Sequence, residues 1–403
     1  MTGTHTQAAK LAVSAVFLLN GLAFASWVSR VPAIRDTLSL TPGQVGLLLL
    51  CLSAGTAIAL PVSGVVVHRL GPARTVGVMA GAVTLGLLGM ATGLVSASVP
   101  LVAVGMFVYG VGTSTWDVAM NVEAADVERR LARTIMPRFH AGFSAGTVTG
   151  ALLGAASARA GIDLAYQLIG TALLVIAIAP LAVRWFLPVP EEDPHAEPKP
   201  NALVAWREPR TLLIGCVVLS FALAEGIAND WIALAFVDGY DVSDSLAAIG
   251  YALFVTAMTV GRLFGGALVE RTGRVTTLRV TGALVAAGVA VVVFSPDAVG
   301  AMTGAVLWGV GASLGFPLGM SAAADDEHKA AARVAVVSSI GYAAFLGGPP
   351  VVGLLADHLG VLQAIVLAAG AGLAGALLAK ATAPAVPPDG GSTDDAAADR
   401  RLA

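Results

Sequence analysis

The chain has 403 residues, of which 57% are hydrophobic and only 12% are charged, and its formal net charge at pH 7 is -3. Soluble domains are roughly one-quarter charged, so this composition excludes an ordinary water-soluble fold. It also lacks the clustered Lys and Arg that a nucleic-acid partner would require. The two cysteines, Cys51 and Cys216, both fall inside apolar runs, so neither a disulfide framework nor a CxxC metal site is expected.

Apolar stretches follow one another along the whole chain, separated by short charged or Gly/Pro-containing breaks. A bilayer core about 30 Å thick requires roughly 20 apolar residues per helix. We therefore expect an all-α polytopic membrane protein with twelve transmembrane helices in two six-helix pseudo-repeats. The predicted spans are 11–29, 43–67, 75–95, 100–122, 140–158 and 163–184 in the first half, and 211–236, 245–269, 276–294, 299–322, 334–356 and 360–380 in the second.

The start of the second span carries a clear helix signal. Thr41, Pro42 and Gln44 form a T-P-x-Q sequence. This places a capping hydroxyl, a proline at the first helical position and a glutamine able to close a capping box in the right order. We expect the helix to begin there.

The middle of the chain predicts a linker between two domains. The charged, proline-rich run PVPEEDPHAEPKP cannot continue a helix through a bilayer. The predicted domains are an N-terminal six-helix half (1–186), a linker (187–210), a C-terminal six-helix half (211–381) and a disordered tail (382–403). Lys and Arg concentrate in the loops that would share a side with both termini, as in cytoplasmic loops. We therefore expect a multi-pass protein of the bacterial cell membrane with both termini in the cytoplasm.

Polar residues inside the spans are few and mark candidate functional positions. A carboxylate near the bilayer centre costs about 2.5 kcal/mol or more, so each needs a partner, water or a proton. In the fourth span Asp117 and Asn121 lie at i and i+4, on one helical face. In the seventh span Glu225 and Asn229 have the same spacing, whereas Asp230 is expected nearer the surface.

Three structural alternatives stay open for these spans. Asp117 could pair with Arg138 or Arg333 at the membrane interface. Arg262, in the eighth span, could extend its stem toward solvent and pack beside neighbouring glycines instead of binding a solute. The sequence Gly347-Gly348-Pro349-Pro350 is expected to interrupt the eleventh span, either as a packing surface or as a flexing point.

The two halves can be superimposed in sequence at an offset of about 200 residues. The match is not confined to generic apolar positions. The paired positions are Gly64, His68, Arg69 and Gly71 with Gly266, Glu270, Arg271 and Gly273, Gly110 and Gly112 with Gly309 and Gly311, and Gly142, Gly154 and Gly161 with Gly341, Gly353 and Gly360.

The first of these blocks, G-x-x-x-[DE]-R-x-G, resembles the signature loop of the major facilitator superfamily. The first copy departs from the family pattern, because His68 replaces the acid that Glu270 provides in the second. The resemblance implies a central cavity lined by the first, fourth, seventh and tenth spans. The Asp-x-x-x-Asn element of the fourth span is also similar to the Glu-x-x-x-Asn element of the fucose permease branch, which implies proton coupling at Asp117.

These observations predict a proton-coupled secondary transporter of a small polar or sugar-like solute, acting as a monomer. In this hypothesis Asp117 and Glu225 titrate and the solute is contacted by two groups of side chains. These are the orienting residues Asn20, Asn121 and Asn229 and the packing residues Trp27, Trp116 and Trp308. The alternatives are a proton-driven efflux antiporter and, more remotely, a non-transporting membrane sensor. No P-loop or metal-ligand spacing is present, so we expect neither an enzyme nor a cofactor.

Overall fold

A computed structural model describes residues 3–131, 135–188, 202–326 and 329–384. Every regular element within these ranges is helical. The helices of the first half are Gly3–Val28, Pro42–Leu70, Pro72–Val95, Val99–Leu131, Met136–Arg159 and Leu164–Ala182. Those of the second half are Pro209–Tyr240, Asp244–Thr272, Arg274–Phe294, Ala298–Ala312 with Gly315–Ala323, Ala330–Leu359, and Val361–Ala364 with Val366–Leu378. We call them the first to twelfth spans. Short helices occupy Val31–Leu38 and Ala202–Ala205, and 3-10 turns occupy Val183–Trp185 and Ala379–Thr382.

Eleven of these spans are apolar and long enough to cross a membrane, counted over the described residues. The fifth span, Met136–Arg159, is not among the eleven although it has 24 residues. Its many Gly, Ser and Thr residues lower its hydropathy. The same residues allow close packing, because a Cβ at Gly146 or Gly150 would lie 1.9 Å from the Leu18 carbonyl oxygen or 2.5 Å from that of Leu22. The fifth helix therefore belongs to the bundle, and the predicted twelve-helix fold is confirmed.

The internal repeat is confirmed by matching backbone geometry and packing. Gly71 and Gly273 end the second and eighth spans with φ near +76° and +77°, a left-handed conformation that favours glycine. Gly110 and Gly309 occupy equivalent helix crossings. A Cβ on either would lie 2.2 or 2.3 Å from a carbonyl oxygen of the second or eighth span.

The predicted start of the second span is also confirmed. The Thr41 hydroxyl accepts a hydrogen bond from the Gln44 backbone N–H (3.3 Å), and the Gln44 side chain accepts one from the Thr41 N–H (2.9 Å). This reciprocal pair is a capping box.

Two helix interiors differ from the sequence-based expectation. The eleventh span was expected to be interrupted at its glycine and proline pairs, and this is wrong: Ala330–Leu359 is one continuous helix that contains Pro349 and Pro350. The second span packs closely against it, since a Cβ at Gly46 would lie 2.6 Å from the Pro349 carbonyl oxygen. The tenth span is the one that breaks, between Ala312 and Gly315.

The spans alternate in direction, which defines two ends of the bundle. The hairpin end holds the connections at 29–41, 96–98, 160–163, 241–243, 295–297 and 360, and the termini end holds both ends of the chain. At the hairpin end three hydrogen bonds join the two halves: Arg35 to Asp238, the Gly43 N–H to Asp357 (2.9 Å), and the Ser245 hydroxyl to the Ala155 carbonyl (2.9 Å). The halves are therefore closed against each other at this end.

The predicted linker and tail are described only in part. Residues 189–201 and 385–403 lie outside the described residues, as do residues 132–134 of the loop after the fourth span. Within the described part of the linker, the Leu187 backbone N–H donates to Glu123 (2.6 Å), which ties the start of the linker to the fourth span. The domain boundaries remain predictions.

At the termini end, the loop after the tenth span is held by Asp325. Arg210 donates to this carboxylate at 3.0 Å, and Arg274 donates to it at 3.0 and 3.1 Å. Partial burial by itself would raise the pKa of Asp325, but the hydrogen bonds from Arg274 and Arg210 hold that pKa below its ordinary value. The loop, the seventh span and the ninth span are thereby connected by one charged group.

The lowered pKa of Asp325 predicts a pH-dependent stability. A carboxyl group with a lowered folded-state pKa stabilises the fold above its unfolded pKa of about 3.9 and loses that contribution as the pH falls through the folded value. The Asp325→Asn variant should therefore have a lower Tm than the wild type at pH 7, and the gap should close below about pH 3. Thermal unfolding in detergent at both pH values measures it. As a control, Asp297→Asn should leave the Tm unchanged, because Asp297 caps the tenth span and Asn caps helices equally well. A gap for Asp325→Asn that persists at low pH would contradict the assignment.

The glycine crossings predict a second effect on stability. A Cβ at Gly288 would lie 2.4 Å from the Trp308 backbone nitrogen, whereas a Cβ at Gly170 would meet no atom within 4 Å. Both residues lie inside helices. Gly170→Ala should be neutral or stabilising by up to about 1 kcal/mol, because alanine favours helix. Gly288→Ala should destabilise by about 1–3 kcal/mol through overpacking. Thermal unfolding of the two purified variants compares them, and equal Tm values would show that this crossing is looser than described.

Candidate functional site

A cavity of about 240 Å³ lies between the two halves, near the middle of the helices that surround it. Five spans contribute to it: the first, second, fourth, seventh and eleventh. The lining residues are Phe24, Leu52, Ser53, Thr56, Ala57, Leu60, Tyr109, Thr113, Gly226, Asn229, Asp230, Tyr342, Phe345 and Leu346. Most of them are apolar or aromatic, and Asp230 is the one acidic side chain among them. The expectation that the tenth span lines the cavity is wrong for this conformation, because the second and eleventh spans occupy the wall instead.

The fourth span brings a chain of polar groups to one side of the cavity. Thr113 lines the wall, and its hydroxyl donates to the Asn20 side chain at 2.7 Å. Asn20 is itself buried, and its amide group lies 3.9 Å from the sulfur of Met120. Asn20 is thus placed behind Thr113 and orients that hydroxyl; it does not face the cavity.

Asp117 follows Thr113 by one helical turn, on the same face of the fourth span. The Asn121 side chain donates to the Asp117 backbone carbonyl (2.9 Å) and to its carboxylate (3.4 Å), so the expected i, i+4 juxtaposition is present. Among the described residues no ion pair includes Asp117. Arg333, considered as its partner, instead contacts Glu208 at 2.6 Å.

Glu225, in the seventh span, forms the main charged contact beside the cavity. One terminal nitrogen of Arg262 contacts both of its carboxylate oxygens, at 3.0 and 2.9 Å. The side chains are largely buried, with 15% of Glu225 and 32% of Arg262 exposed. The Arg262 Nε also donates to the Ser313 carbonyl at 3.3 Å, a group available because the tenth span breaks there. The sequence left the role of Arg262 open between packing beside glycines and binding a solute, and the structure adds a third contact, the pair with Glu225.

Asn229 and Asp230 are adjacent on the seventh span, and both line the cavity. The Tyr251 hydroxyl donates to the Asn229 side chain at 3.4 Å. Asp230 lies five residues closer to the hairpin end than Glu225, in the order that the sequence predicted. The helix continues to Tyr240, so about 15 Å of helix separates Asp230 from the hairpin end. The ion pairs among the described residues do not include Asp230. The sequence did not identify Asp230 as a cavity residue, because this depends on which helices surround it.

The three tryptophans expected to contact the solute do not line the cavity. Trp27, Trp116 and Trp308 are fully buried between helices. Their size makes them fillers of interhelical space, and Trp27 packs edge-on against Phe24 and Tyr109, which do line the wall. Trp27 thus supports the aromatic wall from behind.

The signature residues lie at the termini end, away from the cavity. His68, Arg69, Glu270 and Arg271 are exposed. A Cβ on Gly64 or Gly266 would meet no atom within 4 Å, whereas the glycines that end these segments, Gly71 and Gly273, make the turns described above. These residues connect the spans and contribute no cavity surface.

Comparison with known proteins gives consistent results at the level of sequence and fold. The model of the family described as the Major Facilitator Superfamily matches residues 13–333. The uncharacterized transporter y4wD of Sinorhizobium fredii is 32% identical over 352 residues, covering 86% of this chain and 90% of that protein. An uncharacterized MFS-type transporter of Yersinia pestis is 32% identical over 364 residues, covering 88% and 92%.

Two solved structures share the fold at low sequence identity. A point mutant of the nucleoside transporter NupG superposes with a TM-score of 0.77 at 14% identity, covering 93% of this chain and 99% of that one. A point mutant of the E. coli fucose:proton symporter FucP superposes with a TM-score of 0.63 at 15% identity, covering 92% and 97%. The family and both sequence relatives are transporters and not enzymes.

The contact between Glu225 and Arg262 predicts a non-additive effect of substitution. Removing either partner leaves a largely buried charge unpaired, so Glu225→Gln and Arg262→Gln should each destabilise the protein by about 1–3 kcal/mol. The double variant should lose less than the sum of the two, because neither charge then remains. Thermal unfolding in detergent measures all three. Arg159→Gln, which removes an exposed arginine at the end of the fifth span, is the matched control and should change little. Additive losses would contradict direct pairing.

Proposed function

The chain belongs to the Major Facilitator Superfamily, and we propose that it is a proton-coupled secondary transporter that moves a small organic solute through the central cavity by alternating access. The observation that carries this proposal is the cavity itself. It lies between the two halves at the middle of the bundle and holds a carboxylate with no ion-pair partner among the described residues. A transporter needs a mid-membrane site of this kind, which each half can cover in turn.

The closed hairpin end supports one state of an alternating-access cycle. Three hydrogen bonds seal that end, while Tyr342 and Leu346, which line the cavity, are each 40% exposed. With the Lys- and Arg-rich termini end proposed to lie in the cytoplasm of a bacterial cell, the closed hairpin end is the outer end of the protein. The protein works as a monomer in this proposal, because one chain contains the whole cavity.

Asp230 and Asp117 are the proposed proton-carrying groups. An unpaired carboxylate inside a membrane is costly, and binding a proton removes its charge. The charge of Glu225 is already balanced by Arg262, so Asp230 replaces Glu225 in the role that the sequence suggested. Asp117, one turn from the lining residue Thr113, keeps its proposed role. Asn121 and Asn229 position the two sites through their contacts with Asp117 and Tyr251.

The wall of the cavity favours an amphipathic solute over a sugar. Sugar hydroxyls lose hydrogen bonds to water on binding and need polar partners in return. The lining is mostly apolar surface, and its hydrogen-bonding side chains are Ser53, Thr56, Tyr109, Thr113, Asn229, Asp230 and Tyr342. Its apolar and aromatic surface suits a solute with an apolar body, as in proton-driven efflux of a metabolite or drug-like molecule. Symport of a small polar solute is the second candidate, and the fold is the same for both.

This proposal predicts a pH-driven opening of the hairpin end. Spin labels at Val95→Cys and Val299→Cys, in a background without Cys51 and Cys216, report the distance between the halves, because both valines are 75% exposed at that end. Lowering the pH should shift the ratio of open to closed molecules about tenfold or more, equivalent to about 1.4 kcal/mol. Asp117→Asn and Asp230→Asn, which resemble the protonated states, should raise the open fraction at high pH and reduce the response to pH. Pulsed electron paramagnetic resonance in nanodiscs measures the distances.

The control for this experiment is Asp241→Asn. Asp241 is an exposed residue just after the seventh span in the left-handed conformation, which Asn adopts readily. This variant should keep the full response to pH. A single distance in the wild type at every pH, or an unchanged response in both Asp117→Asn and Asp230→Asn, would refute proton-coupled alternating access.

A further inference from the structure

The residues that line the cavity include an acidic side chain and no basic one. Asp230 lines the wall, and no described arginine or lysine pairs with it. Arg262, the partner of Glu225, contacts both oxygens of that carboxylate and a backbone carbonyl of the broken tenth span. The positive charge of Arg262 is therefore already engaged, and the wall keeps an acidic group, Asp230, that no described cation balances.

Aromatic rings stand close to this carboxylate. Phe345, from the eleventh span, packs against Gly226, since a Cβ there would lie 3.2 Å from the ring. Gly226 and Asp230 are four residues apart on one helix, so their backbone positions differ by about 6 Å along the helix axis, and both residues line the cavity with Phe345. Phe24 and Tyr109 form another part of the wall and are held edge-on by Trp27. Their positions are fixed by packing before any solute binds.

We propose that the cavity binds a small organic cation, with a protonated amine at Asp230 and an apolar or aromatic body against Phe345, Phe24 and Tyr109. This inference rests on the proposed transport function and names the substrate class of that site. A carboxylate attracts an ammonium group by a charge-assisted hydrogen bond, and aromatic faces add cation–π attraction. The volume of about 240 Å³ is at the small end for ligand pockets, which limits the solute to a compact molecule.

Other solute classes fit this wall less well. An anion would be repelled by Asp230 and by Asp117, and Arg262 could accept it only after losing Glu225. A neutral polyol would leave the carboxylate without a counter-charge and would place its hydroxyls against apolar rings. The cation is the class that satisfies both the charge and the apolar surface.

The experiment compares three probes on one phenyl frame with the purified full chain in detergent. They are 2-phenylethylamine, which is a cation at pH 7, the neutral 2-phenylethanol and the anion phenylacetate. Isothermal titration calorimetry should give the amine an affinity roughly ten- to a hundredfold higher than that of the alcohol. Asp230→Asn should weaken amine binding by a similar factor and bring it to the level of the alcohol. Asp230→Glu should retain the preference for the amine, and Asp241→Asn should bind as the wild type does.

Two results would overturn the inference. One is equal affinity of the wild type for the amine and the alcohol, or binding of the alcohol without the amine. The other is unchanged amine affinity in Asp230→Asn, with gel filtration and thermal unfolding confirming that the variant is folded. Neither result requires transport. If the wild type shows no preference for the amine but its hairpin end still responds to pH, the substrate class is wrong and the proposed coupling stands. If the wild type prefers the amine but its hairpin end does not respond to pH, the proposed coupling is wrong and the substrate class stands.

Discussion

The contact between Glu225 and Arg262 determines the electrostatic character of the whole site. A charge inside the membrane region must be balanced, and these two side chains balance each other. Arg262 is held further by the Ser313 carbonyl, which is free to accept because the tenth span breaks at that point. A break in one helix thus fixes an arginine on a second helix, which in turn neutralises an acid on a third. The consequence is that Asp230, and not Glu225, presents the unpaired charge to the cavity.

Close helix packing explains how such a cavity exists in so small a bundle. Glycines at equivalent places in the two halves, such as Gly110 and Gly309, let helices cross with their backbones almost in contact. Within each half this produces a tight unit, and the large aromatic side chains of Trp27, Trp116 and Trp308 fill the remaining space. Between the halves, tight crossing of the second and eleventh spans is seen at Gly46 and Pro349 toward the hairpin end. The space between the units therefore remains at the middle of the bundle, where the cavity lies.

The repeat and its exceptions have different physical origins. The two halves share turn glycines and crossing glycines because both need the same tight turns and close helix crossings. Gly71 and Gly273 make the turns with nearly the same φ angles. The charged residues are not shared: Asp117 belongs to the first half and Glu225, Asp230 and Arg262 to the second. A scaffold can be duplicated, but a cavity that binds one solute needs different groups on its two sides. The asymmetry places the proposed proton and solute sites on specific residues.

The sequence by itself determined the class of protein, the number and approximate positions of the spans, the capping box at Thr41 and the internal repeat. These features follow from local patterns, since a span needs only enough apolar residues and a cap only a few side chains in order. Tertiary structure decided the site. Whether Glu225 is paired, whether Asp230 faces a cavity, and whether a tryptophan lines a wall or fills a gap depend on which helices meet and at what height. Hydropathy sets only the length of each helix, whereas packing of glycines and the break near Ser313 set the rotation and height that bring charges from different helices together.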